Sequence, residues 1–133
     1  MTIIEAVQDV LETNAALVAV VPDIQIRAPG PWQSIPRPYI IHFPTSITPA
    51  ARHGKSPTDA LWDYEVSIFS ATLAQGEAAA YLVIAALDGR HSMGSPITDT
   101  INAQFTGGSF YVGRDDEEDV EHFALSVRIA KSL

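Results

Sequence analysis

Cysteine is absent from all 133 residues. Its absence excludes a disulfide framework, a thiol nucleophile and a thiolate metal site, and it suits a reducing compartment. Long apolar runs are also missing. None approaches the roughly 18 to 20 residues that cross a bilayer, so no membrane contact is expected. Positive charge is scarce, with 8 Lys and Arg against 16 Asp and Glu and a net charge of −8. Affinity for nucleic acid comes chiefly from basic side chains that neutralise phosphates, so tight DNA binding is not expected. An acidic surface suits a passage through which DNA must slide, and it equally serves plain solubility. The opening residues Met1 to Glu5 carry no basic segment and no small-residue cleavage pattern, so no secretory signal is expected.

Catalytic constellations are missing as well. The nucleophile-elbow pattern G-x-S-x-G does not occur, since Gly94-Ser95-Pro96 and Gly108-Ser109-Phe110 both depart from it. Gly54-Lys55-Ser56 lacks the earlier glycine and the following helix of a phosphate-cradling loop. The histidines His42, His53, His91 and His122 fall one per segment and form no ligand pair. His42 and His122 are expected on the outward faces of their strands. The run Asp115-Asp116-Glu117-Glu118-Asp119 lacks the alternating spacing and distal Glu of a calcium loop. A solvated hairpin tip or an electrostatic contact surface is the expectation there. No catalytic residue, cofactor or metal site is expected.

What the chain does contain is a globular balance, 47% hydrophobic and 18% charged, in a length that suits one domain spanning 1–133. Thr2 and Glu5 form a capping box for a helix carrying Ile4, Val7, Leu11, Leu17 and Val18, expected to run to Val20 or Val21 before Pro22. Ile24 to Ile26 reads as a brief strand. Five residues between Ala28 and Pro38 are proline or glycine, which makes a loop. Tyr39 to Phe43 reads as a strand with Tyr39, Ile41 and Phe43 on its core face. Thr45 to Thr58, with the basic cluster Arg52-His53-Gly54-Lys55, reads as a long mobile loop that orders against a partner.

Leu61 to Ser70 alternates, placing Trp62, Tyr64, Val66 and Ile68 on one face. Leu73 to Leu87 is an alanine-rich helix stopped at Asp88-Gly89. Ile97, Ile101, Ala103 and Phe105 mark another strand, Phe110 to Val112 begins the next, and Val120 to Lys131 closes the chain. Phe123, Leu125, Val127 and Ile129 form the inner face of that last strand. No βαβ rhythm repeats. The expected fold is therefore α+β, a mostly antiparallel sheet with two helices packed on one face.

The whole-chain pattern resembles a known family, the tail-completion or tail-terminator proteins of long-tailed phages, prophages and gene-transfer particles. It rests on Ile3 to Leu11, Leu17-Val18, Val21-Pro22 and Pro36-Arg37-Pro38-Tyr39-Ile40-Ile41. It continues through Trp62 to Phe69, Ala86-Leu87-Asp88-Gly89 and His122 to Ile129. The resemblance implies a non-enzymatic ring of copies, commonly a hexamer, that caps the tail tube and joins it to the head-side connector. The implied partners are the tail tube protein and a connector or stopper protein, with DNA passing through the ring without specific binding. The implied place is the virion tail-neck region, reached from the host cytoplasm during assembly. Candidate interface or lumen residues are Arg52, His53, Lys55, Asp115, Asp116, Glu117, Glu118 and Asp119. Two other classes remain open: another neck or head-closure subunit, and a small-molecule-binding α+β domain.

Overall fold

In the computed structural model, Thr2 opens the first helix as its capping box requires. Its hydroxyl accepts from Glu5 N at 3.1 Å, and its own N–H reaches the Glu5 carboxylate. The structure describes residues 2–30, 35–49, 59–87, 102–107 and 110–132. The first helix, α1, spans Ile3–Glu12 and buries Ile3, Ala6, Val7, Val10 and Leu11. It stops earlier than its periodicity predicts. Asn14 takes extended backbone and caps a separate short helix, α2 (Ala15–Val18), its side chain accepting from Leu17 N at 3.0 Å. An Asn that can cap competes with continuing the helix, and here the cap prevails.

A 3₁₀ turn over Asp23–Gln25 replaces most of the expected short strand, leaving β1 at Ile26–Arg27. Strands β2 (Tyr39–Pro49) and β3 (Asp59–Ser70) precede α3 (Leu73–Leu87). Strands β4 (Asn102–Gly107), β5 (Tyr111–Asp115) and β6 (Val120–Ser132) follow. The six strands form one sheet in the order β1-β2-β3-β6-β4, with β5 also pairing β6. Every pairing is antiparallel except β1 with β2. β5 pairs the start of β6 and β4 pairs its later part, so they share one edge. The architecture is α+β, with the helices gathered on one face of the sheet.

One apolar cluster joins α1 and α3 to Tyr64, Val66 and Ile68 of β3 and to Phe123, Leu125, Val127 and Ile129 of β6. Those two inner faces match their alternation in the sequence. At the start of α3 the layers nearly touch. A Cβ on Gly76 would lie 2.3 Å from the Phe123 ring and 2.5 Å from the Ser70 hydroxyl, so only glycine fits there.

β2 faces the opposite way from expectation. Its buried residues are Ile40 and His42, while Tyr39, Ile41 and Phe43 are half-buried on the face away from the helices. The register sets this, because Ile40 pairs with Ile68 and His42 with Val66, both inward on β3. Tyr39 stacks on Phe69, and Phe69 on His122, with ring centroids 4.7 Å and 4.4 Å apart. These three rings form a ladder across the outer face, which gives the apolar Phe69 its partners there. His42 is inside, not outside. His122 does lie on the outer face, but β3 separates β6 from β2, so the two histidines do not meet.

The expected loop from Thr45 is strand as far as Pro49. A register shift between Pro44 and Ser46 admits Pro44 into the ladder, as an edge position allows. Thr45 Oγ1 donates to Asp63 O at 3.1 Å and Ser46 Oγ to Asp63 Oδ2 at 2.8 Å. Residues 50–58, with Arg52, His53 and Lys55, lie outside the described residues, as do Ile97 and Ile101.

Candidate assembly surface

The acidic run is built by the hairpin that joins β5 to β6. Asp115 ends β5, and its Oδ1 accepts from Glu117 N at 3.0 Å and Glu118 N at 3.3 Å, which folds the chain back. Asp119 closes the turn at φ 54°, a left-handed conformation that Asp tolerates better than most residues. Its carboxylate bonds Arg114, and it meets Arg37 Nη1 at 3.1 Å from the loop before β2. Arg37 also donates to the Asp119 carbonyl. Arg114 reaches further, to Asp116 Oδ1 at 3.1 Å and Glu121 Oε1 at 2.8 Å.

Glu121 is the one buried carboxylate of this group. It accepts from the Tyr111 hydroxyl at 2.6 Å as well as from Arg114. Those hydrogen bonds, Tyr111 first, hold its carboxyl below the usual carboxylate range, and the same contact raises the Tyr111 phenol. Of the five carboxylates in the run, Asp119 is thus shared between two arginines, Asp116 is in contact with one, and Asp115 serves the backbone. Glu117 and Glu118 are exposed. Among the described residues no group of three or more His, Asp or Glu side chains is placed to hold a metal ion. The structure places Asp115 to Asp119 together on one tip. It says nothing of the basic cluster at 52, 53 and 55.

The residues that sequence reasoning missed here are Arg37, Arg114, Tyr111 and Glu121. Arg114 and Glu121 flank the turn at positions that pair across the hairpin, a cross-strand signal that was readable. Arg37 is 82 residues from Asp119, and no local pattern announces it.

Next to this tip lies an apolar patch. Leu73 and Tyr81 of α3 are 54% and 58% exposed, and Tyr111 and Val112 of β5 are 45% and 51% exposed. Tyr81 stacks on Phe110 at 5.9 Å, and Phe110 meets Phe123 edge-on at 5.5 Å. Exposed apolar side chains gathered in this way, with a polar rim, mark interaction surfaces. On the outer face of the sheet, a hollow of about 330 Å³ is lined by Thr45, Asp63, Tyr64, Glu65, Thr106, Ser126 and Val127. Its two carboxylates each accept from a serine hydroxyl, Asp63 from Ser46 at 2.8 Å and Glu65 from Ser67 at 3.0 Å. Asp63 is tied to Ser46 and to Arg128, whose Nε is 3.2 Å away, and both interactions hold its carboxyl low. No helix among the described residues is long and apolar enough to cross a membrane.

No family model matches this sequence, and no curated protein matches it. Among solved structures the chain is similar to a chain described as "Virion of native gene transfer agent (GTA) particle". The TM-score is 0.77 at 20% identity, covering 98% of this chain and 95% of the other. At that identity the likeness shows a shared fold over nearly the whole length of both chains.

Proposed function

We propose that this protein is a non-enzymatic structural subunit of a phage-like particle. In this reading copies assemble as a ring, six in number, that closes the end of the tail tube and joins it to the head-side connector. The observation that carries it is the end-to-end likeness to a chain from a gene transfer agent virion, which agrees with the family resemblance in the sequence. The site chemistry supports it. The described surface offers an apolar patch and an ion-pair cluster, which suit docking, rather than a cleft with an activated nucleophile. DNA is expected to pass through the ring without specific binding, since net charge −8 repels phosphates. The tail tube protein and a connector or stopper protein are the proposed partners, in the tail-neck region of the virion.

Light scattering and negative-stain imaging of purified protein, alone and with tail tubes, test this. Rings of uniform size, seated at one end of the tubes, are the expected result. A strictly monomeric mass at high concentration, with no ring on the tubes, overturns the ring. Binding to the connector but never to tubes assigns the chain to head closure instead.

A further inference from the structure

Ile26, Ile40, Ile68, Phe123 and Tyr111 form one cross-strand row that runs the whole width of the sheet. Each pair in it is a register pair: Ile26 with Ile40, Ile40 with Ile68, Ile68 with Phe123 and Phe123 with Tyr111. The two sheet edges at this level are therefore β1 and β5. Both edges carry features that the monomer leaves unexplained.

At the β5 edge stand the exposed apolar side chains of Leu73, Tyr81, Tyr111 and Val112, of which Tyr81 and Tyr111 are joined through the rings of Phe110 and Phe123. The helix behind it is unusual for one with an open face. Glu77 is the only charged residue in the 15 residues of α3, yet Ala74, Ala78 and Ala85 are exposed beside Leu73 and Tyr81. A helix with so few polar residues normally has more of its surface covered. Even Glu77 is partly occupied, accepting from the Tyr81 hydroxyl at 3.0 Å.

At the β1 edge stands Ile24, 68% exposed, the most exposed large apolar side chain among the described residues. Its backbone is not loose. Gln25 N donates to Pro22 O at 2.8 Å, and Gln25 Nε2 donates to Pro36 O and Pro38 O. Ile24 N donates to Asp23 Oδ1 at 2.9 Å, and Arg27 Nε donates to Ile24 O at 2.7 Å. The 3₁₀ turn thus holds an isoleucine outward on a braced backbone, an ordering cost met before any partner arrives.

We infer that Ile24 of one copy seats on the α3–β5 patch of the next copy, and that this is the repeating contact of the ring. The inference rests on the ring reading above and adds which surfaces make it. Two different patches on opposite edges, level with each other, are what a closing heterologous contact needs, because rotation about an axis along the strands brings one edge to the other. Charge excludes the simpler alternative. Patch against patch gathers two copies of Glu77 and two acidic turns into one interface, in a chain of net charge −8. The Ile24 turn carries Asp23 and the adjoining β1 carries Arg27, charges that offset each other, so this edge meets the acidic rim with less repulsion.

The absence of native cysteine makes the test direct. Ile24→Cys and Val112→Cys variants are prepared separately, mixed and gently oxidised. A covalent pair made of one of each is expected, while either variant alone stays unlinked, and a variant with both cysteines gives ladders that reach the ring size. As a second arm, Ile24→Glu should raise the concentration needed for assembly by at least about tenfold, with the monomer's melting temperature unchanged because the side chain is exposed. Rings that form while the mixture gives no heterologous pair overturn the interface and leave the ring standing. Self-linking of either single variant as efficient as the mixed pair overturns the heterologous geometry. Normal assembly of Ile24→Glu overturns the knob. No assembly of the unaltered chain under any condition, tail tubes included, removes the ring and the interface together.

Discussion

His42 Nδ1 lies 2.6 Å from the Tyr64 hydroxyl, inside the layer between α1 and the sheet. Its Nε2 lies 2.6 Å from Gln8 Oε1. The Gln8 amide nitrogen donates to Ile26 O and to Glu12, so its oxygen accepts and His42 Nε2 carries the ring proton. Nδ1 then accepts from Tyr64, and the neutral imidazole is fully satisfied. A protonated ring turns Nδ1 into a donor and leaves the tyrosine proton to find another partner.

Burial lowers the His42 imidazole from 6.5 to about 4. Between those values the unfolded chain binds a proton that the folded chain refuses. Stability therefore rises with pH across this window and levels off above it, the loss on acidification being about 3 kcal/mol. Urea unfolding at pH 4.5 to 7.5 on the unaltered chain and His42→Leu checks this. The variant should be less stable at neutral pH, because Gln8 and Tyr64 lose a buried partner, and its pH slope should be flatter. Equal slopes refute the assignment to His42.

Gly76 gives a prediction of sign. At an ordinary helix position Gly→Ala stabilises by roughly 0.5 to 1 kcal/mol. Here the new methyl enters the Phe123 ring and the Ser70 hydroxyl, so Gly76→Ala should destabilise by about 1 to 3 kcal/mol. Thermal unfolding beside Ala78→Gly, which lies on the exposed face of the same helix, provides the comparison. Stabilisation by Gly76→Ala means that α3 stands further from the sheet than the structure places it.

How much of this was legible depended on whether a signal was local and one-sided. Thr2 with Glu5, and the alternation in β3 and β6, are complete within a few residues, and both appear in the structure as read. From Tyr39 to Phe43, β2 is apolar in both parities except for His42, so the reading turned on the habit of placing histidine outside. The partners that make it an inside residue, Gln8 and Tyr64, are 34 and 22 residues away. At the candidate surface the acidic turn was visible as composition, whereas its tie to Arg37 and the placing of β1 and β5 on opposite edges belong to the tertiary fold. No local window contains sheet order.

The orientation of β2 predicts a contrast between neighbours. Ile40→Ala should cost about 2 to 5 kcal/mol, as should Leu125→Ala, since both side chains are fully buried. Ile41→Ala, on the half-buried outer face, should cost clearly less. Denaturant midpoints for the three variants decide it, and a larger loss at Ile41 than at Ile40 shifts β2 by one residue and reverses the strand.

The last prediction separates the carboxylates that hold the tip together from those that face outward. Asp115 folds the turn and Asp119 binds Arg37 and Arg114, so both belong to the structure of the hairpin. Glu117 and Glu118 are exposed, and Asp116 touches Arg114 alone among the described residues. Changing Asp116, Glu117 and Glu118 to Asn and Gln should therefore move the melting temperature by no more than about 2 °C, as solvated charges at a turn contribute little. Changing Asp119 to Ala should do more, because it removes the ionic partner of Arg37 and leaves a left-handed backbone to a residue that resists it. The triple variant then tests what the outward charge is for. If these carboxylates line the DNA passage, rings should form as before but retain duplex DNA in filter binding at low salt, with retention lost as salt rises. Rings that form poorly, and lose their own salt dependence, place the turn between copies instead of at the lumen. Normal rings with no DNA retention leave the turn outside both surfaces.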